Sequence, residues 1–552
     1  MQEIFYLSKS EADNIDRIGR NMYNMMVILS NGAMETFVPD YIFGGVLMVF
    51  SSLFFLYAFM PLCMAAYMLV RSTKAKNIVL LIFSLVFYAW GEPKYVLLLV
   101  LMSFVDWYAA LRIEAETDKK KRRTWVAIAC VFDLVLLGIF KYGKMFASIF
   151  GEPPAFIANI ALPIGISFYT FQLLSYVVDV YRREVKAQKQ YWHVLLYAAL
   201  FHQCVAGPIV RYQTVESELY IHRDPFKGND IAEGINRFCI GLAKKAIIAN
   251  ACGKIVDALV LSDSAIGDPA LAAANLQTLS NASVVALWTG LIISLIQIYF
   301  DFSAYSDMAI GMGKMIGIHY PENFNYPYLA TSVGEYWRRW HMSLGQWFRD
   351  YLYYPLALGP AIKVRKFFSK FFSRKVTMHI QSAFTMAVLW FCTGLWHGAS
   401  WNFALWGLYY FVFLFMEQTL LKKTLDKLPA MLCRVYVWLV LIFGRVIFRY
   451  TSLDNVLTVF KGMFGANGNE LYDFATVTLL KNNFALLIFC VIAATPLFKT
   501  IAAKIMNKTE NHRMLHSAAY FIGYGLIPTV LLLLSTAALV GNSYNPFMYF
   551  RF

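Results

Sequence analysis

A chain of 552 residues that is 59% hydrophobic, 17% aromatic and only 15% charged has too little polar material to cover a soluble globule, so a multi-pass membrane protein is expected. The formal charge of +15 does not point to nucleic acid, because the basic residues sit in short clusters between apolar runs and not in one basic, aromatic module. The eight cysteines are scattered without a CxxC pair and the histidines form no HExxH, so neither a disulfide framework nor a metal centre is expected.

Residues 1–47 are polar and mixed in charge and lack the n-region, h-region and cleavage site of a signal peptide. They are expected to be a peripheral extension, with Met48 a candidate for the true start, and residues 48–552 to form one integral membrane domain. Apolar stretches recur at 42–70, 78–90, 95–113, 124–140, 156–180, 192–205, 283–300, 382–395, 403–415, 435–448, 484–497 and 521–540. Several are shorter than the roughly 20 residues that cross a bilayer, which predicts tilted, broken or re-entrant helices. Clusters such as Arg71/Lys74/Lys76, 119–123, Arg182/Arg183/Lys186/Lys189, 363–375 and Lys422/Lys423/Lys427 are expected to be cytoplasmic loops.

In chain order, the segments 162–172 and 201–211 carry Pro and Gly within apolar context, so their freed backbone groups need partners inside the protein; His202 there fits a structural role. The polar stretch 221–234 follows, and 261–280 is expected to be an exterior loop or peripheral helix. Asp301 and Asp307 close the apolar run 283–300, where helix-end hydrogen bonding at the interface would satisfy them; their six-residue spacing does not suit a carboxylate dyad.

Placed on one helix, 335–352 puts Trp337, Trp340, Leu344, Trp347, Phe348 and Tyr351 on one face and Arg338, Arg339, Gln346, Arg349 and Asp350 on the other, with His341 at the seam. This pattern suits a plain interfacial anchor, or a site where Arg338, Arg339 and Arg349 grip a phosphorylated substrate. Farther on, His397 stands alone in the apolar run LWFCTGLWHGASW. An intramembrane histidine is either a hydrogen-bonded core residue or a site.

The stretches 162–182, 203–211, 234–245 (GINRFCIGLAKK), 299–317, 335–355 (EYWRRWHMSLGQWFRDYLYYP), 395–407 (LWHGASWNFALWG) and the tail 545–552 (NPFMYFRF) together resemble the membrane-bound O-acyltransferase (MBOAT) family, in its bacterial alginate O-acetyltransferase branch. The resemblance implies an all-α ring of helices with re-entrant or broken segments around a central tunnel, in a bacterial cytoplasmic membrane. It also implies acyl transfer from a cytoplasmic thioester, acetyl-CoA first, toward hydroxyls of an exported polysaccharide. The acceptor route would pass through an extracytoplasmic SGNH-type acyltransferase or another acceptor protein. No bound cofactor is implied. His397 corresponds to the family's essential residue and His341 to a second site position.

A neutral imidazole can take the proton of a hydroxyl as it attacks a thioester carbonyl, which suits His397 as base. Asn402, Trp401 or a backbone N–H are candidate oxyanion donors, and Arg338, Arg339, Arg349, Trp396 and Asn402 candidate donor-binding or tunnel residues. The alternatives are D-alanyl transfer to teichoic acid from a carrier-protein thioester and, in a different class, transport of lipid-linked sugars.

Overall fold

The computed structural model describes residues 48–205, 207–220, 229–262 and 269–541; the 1–47 extension, most of the 221–234 stretch and the 545–552 tail lie outside the described residues. Among those described there are helices and turns and no strand. Among the described residues eight helices are long and apolar enough to cross a membrane, or nine if Phe474–Asn482 and Phe484–Ala493, bent by 60°, count as one span. The elements that build the site are α1 (Thr73–Gly91), α2 (Val96–Ala115), α3 (Lys119–Phe150), α4 (Ile166–Arg182), α5 (Tyr191–Ala199), α6 (Asp230–Ala243), α7 (Val284–Met315), α8 (Val333–Arg339), α9 (Met342–Phe348), α10 (Arg374–His397), α11 (Trp401–Met416) and α12 (Ala430–Arg449).

The expected breaks are present. The chain from Asn159 to Gly165 is irregular ahead of α4, and residues 207–211 are non-helical after the single turn Phe201–Cys204. Gly165 has φ +77°, and a Cβ there would lie 2.3 Å from the Cys204 carbonyl oxygen, so only glycine lets the start of α4 touch that turn. The 261–280 region contains a helix, Pro269–Asn281.

Asp301 and Asp307 do not end a helix. They lie inside α7, which runs 32 residues to Met315. Lys245 Nζ is 2.6 Å from Asp301 Oδ1, with both side chains 2% exposed. Asp307 meets Arg237 at 2.7 Å and Lys244 at 2.6 Å. The cations come from α6 and the π-helical turn Lys244–Ala249 that continues it. Small residues bring the two helices together: a Cβ at Gly241 would lie 2.7 Å from the Ala304 carbonyl oxygen, and one at Gly234 2.7 Å from that of Gly311. Removing one partner of such a buried pair costs about 3–5 kcal/mol, so Asp301 and Lys245 hold the fold.

The single amphipathic helix expected over 335–352 is also corrected. The chain breaks at His341, whose φ of +45° and ψ of +52° are left-handed, giving α8, α9 and a π-helical turn Arg349–Tyr353. At the start of α8 the Glu417 carboxylate accepts from the N–H groups of Val333 (2.6 Å) and Gly334 (2.9 Å), donors that the helix itself leaves over. Helices α10 and α11 approach through Gly394 and Gly407, where added Cβ atoms would lie 2.1 Å and 2.0 Å from the carbonyl oxygens of Phe403 and Trp390.

Candidate functional site

His397 is the last residue of α10 and is buried. Its ring lies against those of Trp396 (centroids 5.1 Å), Trp406 (4.9 Å) and Phe448 (5.6 Å), so α10, α11 and α12 together enclose it in aromatic surface.

His341 reaches the same place from the break between α8 and α9. Its ring is 5.7 Å from that of Trp396 and 4.7 Å from that of Phe302, centroid to centroid. Asn323 holds the turn: its Oδ1 accepts from Ser343 N (3.2 Å) and Ser343 Oγ (2.9 Å) and lies 3.0 Å from His341 Nδ1, while its Nδ2 donates to Ser306 Oγ at 3.0 Å. A backbone N–H only donates, so the bond from Ser343 N fixes which end of the amide is oxygen. His341 Nδ1 must then be the donor. In the neutral ring this leaves Nε2 as a bare lone pair, and Nε2 has no hydrogen-bond partner among the described residues. Burial pushes the His341 pKa down to about 3, so the neutral ring is the relevant form. Left-handed backbone costs a non-glycine residue roughly 1–2 kcal/mol, which the Asn323 bonds offset.

Trp396 is the common wall. It touches both histidines, packs on Phe168 (5.6 Å) and Phe171 (5.8 Å) of α4, and belongs to an apolar cluster with Leu174, Ile209, Leu344, Trp347 and Phe348. Tyr351 and Leu352 pack against that cluster. Beyond them opens a cleft of about 630 Å³ lined by Arg182, Glu184, Arg211, Gln213, Asp350, Tyr354, Pro355 and Leu358. The Arg182 and Arg211 guanidiniums lie 5.2 and 5.8 Å from the Tyr351 ring centroid, and Arg211 pairs with Asp350 at 2.8 Å. Burial alone would raise the Asp350 carboxyl, but the hydrogen bond from Arg349 and the charge of Arg211 outweigh it and hold the group below the usual carboxylate range.

The structure brings together His341, Trp396 and His397 and leaves the three expected arginines apart from them. Because the helix breaks at His341, Arg338 and Arg339 belong to α8 and Arg349 to the following turn. Arg338 is exposed, Arg339 pairs with Glu335 at 2.7 Å, and Arg349 pairs with Asp350 at 2.9 Å on the cleft side. Asn402 is buried, but its Nδ2 donates to the Ile447 carbonyl at 3.2 Å and ties α11 to α12. Trp401 is half exposed. His202 has the expected structural surroundings, with Nδ1 2.8 Å from the Tyr320 hydroxyl.

Sequence reading missed Asn323, whose role depends on a contact 18 residues away, and Lys141. The signal for Lys141 was available: a lysine directly after the apolar run 124–140. Arg182 and Arg211 were within recognised segments but had no role in the site until the cleft assembled them.

A family model for MBOAT, the membrane-bound O-acyltransferase family, matches residues 52–459. A protein of Azotobacter vinelandii named as a probable alginate O-acetylase, AlgI, is 34% identical over 536 residues, spanning 92% of this chain and 100% of its own length. A peptidoglycan O-acetyltransferase of Helicobacter pylori is 27% identical, spanning 92% of this chain and 98% of its own. A teichoic acid D-alanyltransferase of Bacillus subtilis is 26% identical, spanning 53% of this chain and 68% of its own.

Proposed function

Because the chain belongs to the membrane-bound O-acyltransferase family and is an O-acyltransferase, we propose that it transfers acetyl groups from cytoplasmic acetyl-CoA toward hydroxyls of an exported cell-surface polysaccharide, with His397 as the base. The observation that carries this reading is the packing of His341 and His397 against the same Trp396 ring inside the helical core. The alginate and peptidoglycan acetylating relatives, similar along nearly their whole length, favour acetyl over D-alanyl as the group moved.

In this scheme the neutral imidazole of His397 takes the proton of the attacking hydroxyl as its oxygen adds to the thioester carbonyl. The adduct then expels the CoA thiolate, breaking the C–S bond, and the thiolate takes the proton from the imidazolium to leave as the free thiol, while the bare Nε2 of His341 can orient a hydroxyl nearby. The aromatic walls keep water, the competing nucleophile, away from the thioester. The donor enters at the Arg182/Arg211 cleft, whose guanidiniums suit phosphate groups. The cleft adjoins the 182–189 basic cluster, which the positive-inside rule assigns to the cytoplasm. From Ser167, at the level of the Trp396 carbonyl, to Arg182 the helix α4 rises about 22 Å, a span that calls for a donor with a long flexible arm such as phosphopantetheine. The acceptor partner is an extracytoplasmic SGNH-type acyltransferase or the glycan itself, and the membrane is the bacterial inner one.

Membranes carrying the protein, supplied with radiolabelled acetyl-CoA and scored for label on exported glycan, test the reading. Wild type should transfer label, and His397→Ala should lose about 10²–10⁴-fold in rate while its abundance stays near normal. Transfer from a D-alanyl carrier thioester and none from acetyl-CoA would overturn the donor; near-normal acetylation by His397→Ala would overturn the base.

A further inference from the structure

Lys141 is a buried lysine that the reaction scheme does not use. It lies in α3 within the π-helical turn Gly138–Tyr142, is 8% exposed, and has no carboxylate within ion-pair distance among the described residues. Its Nζ donates to Ser167 Oγ at 3.0 Å and to the carbonyl oxygen of Trp396. The next residue, Tyr142, donates its hydroxyl to the carbonyl oxygen of Leu395 at 2.8 Å.

The last four carbonyls of a helix have no partner within it, and in α10 these belong to residues 394–397. Two consecutive side chains of α3 thus take two adjacent carbonyls in the turn that ends in His397. A cation at this place also offsets the partial negative charge of a helix C-terminus. The wide π-helical turn is a local departure from α geometry of a kind frequent at functional sites. The contrast with buried Lys245 is informative: Lys245 meets a carboxylate, whereas Lys141 meets the backbone beside the histidine.

We propose that Lys141, with Tyr142, is a positioning residue for His397: together they clamp the Leu395 and Trp396 carbonyls and so fix the helix end from which the imidazole meets the acceptor hydroxyl. The inference rests on the reading of His397 as base. A merely structural lysine would instead affect folding, and activity only in proportion to the folded protein.

The test uses the full chain purified in detergent as wild type, His397→Ala, Lys141→Met, Lys141→Arg and Tyr142→Phe, with melting temperature, kcat and donor KM measured for each. Misplacement of a reacting group by about 1 Å can cost about 100-fold, so Lys141→Met is expected to melt near wild type but lose about 10- to 100-fold in kcat, with donor KM within about twofold. Lys141→Arg should recover part of the rate and Tyr142→Phe should lose less. A wild-type kcat in Lys141→Met, or a loss that only follows the folded fraction, would overturn the proposal. If Lys141→Met does not fold, Tyr142→Phe decides: lowered kcat at unchanged KM supports the clamp, and wild-type kcat refutes it. A wild type inactive with acetyl-CoA would refute the acetyl-transfer reading, whereas an active wild type, inactive His397→Ala and fully active Lys141→Met would refute only the clamp.

Discussion

His341 and His397 both pack against Trp396 but lie in different surroundings. His341 sits on a left-handed turn whose ring and backbone are both fixed by the Asn323 amide. His397 ends a 24-residue helix, and its ring is shaped by Trp396, Trp406 and Phe448. A polar cradle selects a tautomer, because a hydrogen bond distinguishes one ring nitrogen from the other. The aromatic rings around His397 keep water from its imidazole. Two imidazoles in one core therefore acquire different capacities from their surroundings.

Three substitutions, beyond those at His397 and Lys141, probe this difference. Trp406→Ala should have the largest effect on stability, since truncating a buried tryptophan costs about 3–5 kcal/mol, and it should be seen as a lower melting temperature in detergent. A melting temperature equal to wild type would show that the aromatic shell does not confine His397. Asn323→Ala should cost about 1–3 kcal/mol by leaving buried donors at Ser343 unsatisfied, and should lower transfer per folded molecule about as much as His341→Ala does. If Asn323→Ala destabilises but transfers at the wild-type rate per folded molecule, His341 has no role that depends on its orientation. Arg338→Gln, on an exposed face away from both histidines, should change the melting temperature by the equivalent of less than about 0.5 kcal/mol and leave donor KM unaltered. A raised donor KM there would make Arg338 a donor-binding residue.

Much of the site was legible along the chain. The isolated His397 in LWHGAS is conspicuous because hydrocarbon tolerates few imidazoles, and Pro163, Gly165 and Pro208 do fall at breaks. The failures came where polar groups found distant partners. Asp301 and Asp307 looked like the end of a helix because their cations, Arg237, Lys244 and Lys245, lie more than fifty residues earlier. The 335–352 periodicity concealed the turn at His341, because the bonds that stabilise a left-handed residue come from Asn323 and not from within the periodic segment. Arg338, Arg339 and Arg349 shared a face only as long as that segment was one helix.

By itself the sequence determined the membrane-spanning helical architecture and the apolar setting of His397. Hydropathy is a local property, and a chain in hydrocarbon must satisfy its backbone hydrogen bonds within each helix. Only the tertiary structure decided which polar groups would meet: His341 and His397 at the same Trp396 ring, Lys141 with the end of α10, and the arginines of the 182 and 211 segments at one cleft. These groups come from helices far apart in sequence, and their meeting depends on the close approach of α6 to α7 and of α10 to α11 at glycine contacts, which no local pattern encodes.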